Sequence, residues 1–119
     1  MANPNIVSMS SMYGNSAVQN VTTSATAVVT NSAASGKVYK VNMLVVANID
    51  STNSATITVD LYRANSATKL SNEVTIGINT AFTPIDKSLC LYLLEGDSLR
   101  LTSNANSRLQ AICSWEEIG

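Results

Sequence analysis

The sequence predicts an all-β fold, a single antiparallel β-sandwich of about eight strands with jelly-roll or immunoglobulin-like topology. Apolar and small polar residues alternate with period two along several segments, as in half-buried strands. Turn-forming clusters of Asn, Ser, Asp and Gly separate these segments at intervals of roughly 8 to 12 residues. No ten-residue segment shows a helical period with caps. The 119 residues suit one domain, with an N-terminal arm or edge strand over residues 1–14 and the sandwich over 15–119.

The strongest alternation lies in the middle of the chain. Residues 54–61 form a strict pattern that puts four apolar side chains on one face: Ala55, Ile57, Val59 and Leu61. The preceding segment, 38–50, predicts a long central strand whose apolar face comprises Tyr39, Val41, Met43, Val45, Ala47 and Ile49. Between the two segments, Asp50–Asn53 is a turn-forming cluster, which predicts a hairpin.

Further strands are predicted on both sides of this region. Residues 73–78 place Val74, Ile76 and Ile78 on one face, and residues 81–86 are interrupted by Pro84, which favours an edge strand or a bend. Residues 89–94 are apolar on both faces, whereas residues 98–102 and 109–115 alternate. Upstream, residues 18–30 have strand propensity but poor alternation, and residues 6–12 suit an edge strand or an arm.

The composition argues against catalysis. The chain has no histidine and only 13% charged residues, while Asn, Ser and Thr supply 41 of its 119 residues. Catalytic and metal sites usually need histidine or clustered acids and bases. The lysines stand in no Ser-x-x-Lys spacing that begins a helix, as a serine hydrolase would need. We therefore expect no enzyme, no cofactor and no metal.

Charge and hydropathy exclude two classes of partner. A net charge of −1 provides no basic patch for nucleic acid. No apolar run approaches the 18 residues of a membrane span. The first residues lack the basic and apolar regions of a secretory signal, so we expect a reducing compartment. In that setting Cys90 and Cys113 are expected to be small buried residues rather than a disulfide.

One acidic cluster is a candidate for calcium binding or catalysis. Glu95 and Asp97 flank Gly96, a pattern typical of a tight turn with solvated acids and a glycine at positive φ. Calcium ligation and paired-carboxylate catalysis are the alternatives. Glycoside hydrolysis needs two carboxylates held across a cleft, usually in a larger scaffold. Glu116 and Glu117 are neighbours in the sequence, and catalysis by this pair would also require a cleft in a larger scaffold.

The residues that point to partners lie on two segments. The N-terminal segment carries five large side chains without clear pairing to a following strand: Ile6, Val7, Met9, Met12 and Tyr13. It suits either an ordinary first strand or a strand that docks on another subunit by edge addition. Tyr62 shares a face with Thr58 and Asp60, so it is a surface candidate for stacking a sugar ring. Tyr39 and Trp115 are expected in the core or at its rim.

Several stretches resemble small virion structural proteins of tailed bacteriophages. They are residues 36–50, 54–63, 91–106 and 114–118, including the runs GKVYKVNMLVVANID and LYLLEGDSLRLTSNAN. The resemblance covers roughly two-thirds of the chain and rests on strand and turn patterns. It implies a β-sandwich built in many copies into a particle, and it transfers no catalytic or ligand-binding residue.

The expected function is that of a capsid decoration or cement protein that stabilises an assembled shell. Its partners would be the major capsid protein and other copies of itself, with a trimer favoured. It would reside in the virion, assembled in the cytoplasm of a bacterial host. The alternatives are a tail, neck or fibre component and a carbohydrate-binding adhesin that recognises a host glycan.

Overall fold

A computed structural model describes residues 11–119 and contains nine strands. They are β1 (Met12–Asn20), β2 (Thr26–Thr30), β3 (Val38–Asn48), β4 (Ala55–Arg63), β5 (Ser66–Ile76), β6 (Ala81–Ile85), β7 (Leu91–Leu93), β8 (Ser98–Ser103) and β9 (Leu109–Ile118). A three-residue 3-10 helix, Lys87–Leu89, precedes β7. The all-β prediction is confirmed, with nine strands where about eight were expected.

The strands form two antiparallel sheets. The five-stranded sheet has the order β1-β9-β3-β6, with β7 also pairing with β3, and the four-stranded sheet has the order β2-β8-β4-β5. Apart from the short β7, the pairs are nested: β1 with β9, β2 with β8, β3 with β6 and β4 with β5. A chain folded back on itself in this way and rolled into two sheets is a jelly roll. The strand order therefore decides between the two predicted topologies.

The core lies between the sheets and is almost entirely aliphatic. Val59 of β4 pairs with Leu101 of β8 within the four-stranded sheet, and Ile57 and Leu99 lie on the same inner face. All four side chains are fully buried. From the five-stranded sheet, Leu44, Val46, Leu109, Ala111 and Cys113 complete the same cluster. The alternation predicted for residues 54–61, 98–102 and 109–115 is confirmed, because apolar side chains on one face of each strand enter this layer. Leu61 and Trp115, at the ends of their segments, are only partly buried against it.

The apolar face predicted for β3 is wrong over most of its length. The register of β3 against β9 shifts between Val41 and Met43, which marks a β-bulge at Asn42. A bulge adds one residue to a strand and so exchanges its two faces. As a result Val41 is buried before the bulge, whereas Leu44 and Val46 are buried after it. Met43, Val45 and Ala47 lie on the outer face.

The hairpin predicted at Asp50–Asn53 is also wrong. This turn joins β3 of one sheet to β4 of the other, so the chain crosses the sandwich. Buried Asn48 holds the crossing: its amide donates to the carbonyls of Asn53 and Ile76, and its side-chain oxygen accepts from the Asp50 N–H. A turn cluster signals reversal of the chain but not which sheet the next strand joins.

Smaller differences concern the ends of segments. β6, which contains Pro84, lies at an edge as expected. Ile76 is buried but Ile78 is 45% exposed, because β5 ends at Ile76. Residues 89–94 are not buried on both faces: Leu93 is buried, while Leu89 and Tyr92 are exposed.

Candidate interaction surface

The outer face of the five-stranded sheet has an apolar row that crosses three strands. Val18 of β1 pairs with Ile112 of β9, and Ile112 pairs with Val45 of β3. Val18 is 80% exposed and Ile112 47% exposed. Ala47 lies beside Val45 on the same face, and these four residues line a groove with a volume of about 480 Å³. We call these four residues the apolar row.

The other half of this sheet face is polar. A wider depression of about 720 Å³ includes Lys40, Asn42, Lys87 and Glu116. The Asn42 amide donates to Glu116 Oε1 at 3.0 Å, which fixes the bulged residue of β3 against β9. The apolar row is thus bordered by polar side chains on the side of Asn42 and Glu116, and an exposed apolar patch with a polar border is typical of protein interaction sites.

The candidate contact residues of the N-terminal segment divide into two groups. Ile6, Val7 and Met9 lie outside the described residues. Met12 and Tyr13 begin β1, and both side chains are exposed, at 44% and 61%. Met12 and Tyr13 therefore belong to a strand that extends to Asn20.

Tyr62 lies on the outer face of the four-stranded sheet, where Arg100 covers it. The Arg100 guanidinium carbon is 4.0 Å from the centre of the Tyr62 ring, within cation–π distance. The same guanidinium donates to buried Asp60, with Nε 2.9 Å from Oδ1. A sugar ring could therefore stack only on the other face of Tyr62.

Glu95 and Asp97 form a turn, but they are not solvated. Gly96 has φ +87°, as predicted, whereas the two acids are 3% and 1% exposed. Asp97 accepts from Arg63 Nε at 2.9 Å, from Arg63 Nη2 at 2.6 Å and from the Leu94 N–H at 2.8 Å. Glu95 accepts from the Gly36 N–H. Both carboxylates thus bind protein donors and hold loops together.

Cys113, Tyr39 and Trp115 are surrounded by core or core-rim residues rather than by groups that could form a site. Burial raises the pKa of the Cys113 thiol to about 12, and both cysteines are free, with Cys90 half-buried. Tyr39 stacks on Trp115 with ring centres 6.4 Å apart, at the rim of the core as expected. Burial and the neighbouring carboxylate of Glu117 raise the pKa of Tyr39.

Residues 11–119 lack two kinds of functional element. This part of the chain contains no group of three or more His, Cys, Asp or Glu side chains placed to hold a metal ion. It also contains no helix long and apolar enough to cross a membrane.

Comparison with known proteins does not identify a family. No protein-family model matches the chain, and no curated protein is similar to it in sequence.

Of the apolar row, Ile112 could have been identified as exposed from the sequence. It interrupts the polar face of β9 between Gln110 and Ser114, opposite the apolar face of Leu109, Ala111 and Cys113. For Val45 and Ala47 no such signal existed, because the bulge in β3 placed them on the outer face.

Proposed function

We propose that this protein is a structural component of a bacteriophage virion, most specifically a decoration or cement protein that binds an assembled capsid. The observation that supports this role is the apolar row on the outside of a fully formed sandwich. Its side chains are not needed to close the core, so their exposure suits contact with another protein. The resemblance of residues 36–118 to phage virion proteins is the reason for proposing a capsid as the partner.

The mechanism would be mass action rather than chemistry. A protein that binds only the assembled shell stabilises that shell by RT ln(1 + [L]/Kd) for each site. Many copies that each bridge neighbouring capsid subunits would add these contributions over the whole particle. The major capsid protein is the proposed partner, and a trimer is the proposed unit. Jelly rolls occur in capsid proteins and in lectins alike, so the fold is compatible with the role without selecting it.

Substitution within the apolar row tests the role directly. Ile112→Asp places a charge in the centre of the row, and we expect it to abolish co-sedimentation with purified capsid shells because an unpaired carboxylate would be desolvated. Thr75→Asp, on the exposed outer face of the four-stranded sheet, is the matched control and should bind normally. Full binding by Ile112→Asp, with circular dichroism unchanged, would contradict the proposal.

The N-terminal contact residues remain a prediction with a separate test. Deleting residues 1–10 removes Ile6, Val7 and Met9 but leaves β1 whole, since this strand begins at Met12. We expect the truncated protein to fold and to lose shell binding. Undiminished binding would confine the contact to the described residues, and the apolar row would then be the primary site.

The copy number in purified virions separates the remaining alternatives. Hundreds of copies per particle, measured by quantitative mass spectrometry, are expected for a decoration protein. A tail, neck or fibre component would be present in far fewer. Complete absence from the virion, combined with specific retention on a glycan array that Tyr62→Ala removes, would support the adhesin instead.

A further inference from the structure

The five edge strands of the two sheets differ in how they are protected against pairing with another chain. β2 is five residues long and bulged at Val28, and β5 has two register shifts and carries Lys69 and Glu73. β6 contains Pro84 and a shift, and β7 is only three residues long. Such features block edge-to-edge association. β1 has nine residues in unbroken register with β9 and contains no charge and no proline. Among these edges of the described residues, β1 is the unprotected one.

The direction of the β1 backbone groups follows from the two ends of the strand. Ser11 and Gly119 exchange both main-chain hydrogen bonds at 3.0 Å, and the Val21 N–H donates to the Leu109 carbonyl at 2.9 Å. In an antiparallel pair, hydrogen-bonded positions alternate, so odd-numbered residues of β1 bond to β9. The even-numbered residues then direct their N–H and C=O groups to the free edge: Met12, Gly14, Ser16, Val18 and Asn20.

We propose that β1 pairs with β1 of a second copy of this chain, antiparallel about a twofold axis at Ser16. In this register Ser16 meets Ser16 of the second copy, Gly14 meets Val18 and Met12 meets Asn20. All five outward-facing residues of each copy are then used. The two five-stranded sheets become one continuous sheet, and this contact does not depend on which shell the protein binds.

Charge favours a second copy in this orientation. Glu116 and Glu117 pair with Gly14 and Tyr13 at one end of β1, so the acidic groups of the sheet edge lie at that end. Antiparallel pairing places the glutamates of one copy near Val18 and Gln19 of the second copy, which is the end of β1 opposite to the second copy's own Glu116 and Glu117. A parallel arrangement would place the glutamates of both copies at the same end of the joined sheet, each pair on β9 and one strand inside the contact, whereas the antiparallel arrangement places the two pairs at opposite ends.

Gly14 is consistent with close approach of another strand. Its φ is not positive, and a Cβ built there would meet no atom within 4 Å, so the isolated chain does not require glycine. Glycine inside a strand often marks a position where another backbone comes near. A nine-residue strand pair is small beside stable interfaces, which exceed about 1,000 Å². We therefore expect reversible, concentration-dependent association.

The first test is the mass of the full-length protein in solution. Ser16→Pro removes an N–H that points to the free edge and leaves the bonds to β9 intact, whereas Ser16→Ala retains that N–H. We expect Ser16→Pro to halve the mass of the associated species in sedimentation velocity: dimers become monomers, or hexamers built from two trimers become trimers. Ser16→Ala should behave as the native protein. A native mass that does not rise with concentration, or that Ser16→Pro leaves unchanged, would overturn the proposal.

The second test fixes the register and does not rely on a proline variant folding. Hydrogen-bonded antiparallel pairs have Cα atoms about 5.5 Å apart, within the range of a disulfide. In a Cys90→Ser background, we expect Ser16→Cys to form a disulfide-linked dimer in air. Thr68→Cys, on the exposed edge strand β5, is the control and should stay largely monomeric. Equal cross-linking at the two sites would count against the pairing. Val18→Cys cross-linking in preference to Ser16→Cys would refute the stated register.

Loss of this contact is distinguishable from loss of the proposed function. Ser16→Pro should abolish self-association without disturbing the centre of the apolar row at Ile112. Conversely, Ile112→Asp changes a residue of β9, the strand next to β1, so it should leave the backbone groups at the free edge of β1 unchanged. Self-association that survives Ile112→Asp while shell binding is lost is the expected combination.

Discussion

At the scale of single residues, the buried acids Asp97 and Asp60 show how this chain uses its few charges. Each is fully buried and bound by one arginine, Asp97 by Arg63 and Asp60 by Arg100. A buried carboxylate is costly unless donors satisfy it, and here the guanidinium provides two of them. These two ion pairs therefore tie strands and turns together.

Replacing Asp97 should reveal this structural role. Asp97→Ala leaves the Leu94 N–H and the Arg63 guanidinium without their acceptor, and removing one partner of a buried pair costs about 3 kcal/mol of unfolding free energy. Arg63 is 48% exposed in its side chain and can turn to water, so a larger loss is not expected. Urea denaturation gives the value.

Asp86 provides the control for that measurement. It is exposed and accepts from the Ser88 N–H at the start of the 3-10 helix, so Asp86→Ala removes only a surface cap and should destabilise the protein less than Asp97→Ala. Equal destabilisation by Asp97→Ala and Asp86→Ala would show that the bonds of Asp97 contribute little beyond those of a surface turn.

At the scale of elements, the sequence predicted best the strands that are regular. β8 and the first half of β9 follow strict alternation, and their buried residues were identified correctly. β3 was placed correctly along the chain, but its buried face was not, because the bulge at Asn42 leaves no mark in a pattern that is apolar on both sides. Alternation of apolar and polar residues identifies the buried face of a strand only as long as no bulge shifts its register with the neighbouring strand.

The candidate surface was less predictable than the strands, for a related reason. Val18, Ile112 and Val45 are distant in sequence and become neighbours only through the β1-β9-β3 order. Pairing of β1 with β9 depends on the complete jelly-roll fold rather than on any local sequence signal. The sequence could place exposed apolar side chains on individual strands, but it could not assemble them into one row.

At the scale of the whole molecule, the nested strand pairing should govern folding. Among the strand pairs of residues 11–119, only β4–β5 is closed by a short turn, whereas β1 must find β9 across most of the chain. Closing long loops before contacts form is entropically costly, and such topologies fold slowly, in milliseconds to seconds.

Trp115 allows this expectation to be measured. It is the single tryptophan, it lies on β9, and it stacks on Tyr39 of β3, so its fluorescence reports pairing at the centre of the five-stranded sheet. We expect stopped-flow refolding from urea to show this signal changing in milliseconds to seconds, with far-UV circular dichroism changing at the same rate. Completion of both signals within microseconds would mean that local contacts dominate, which the pairing of the first strand with the last does not permit.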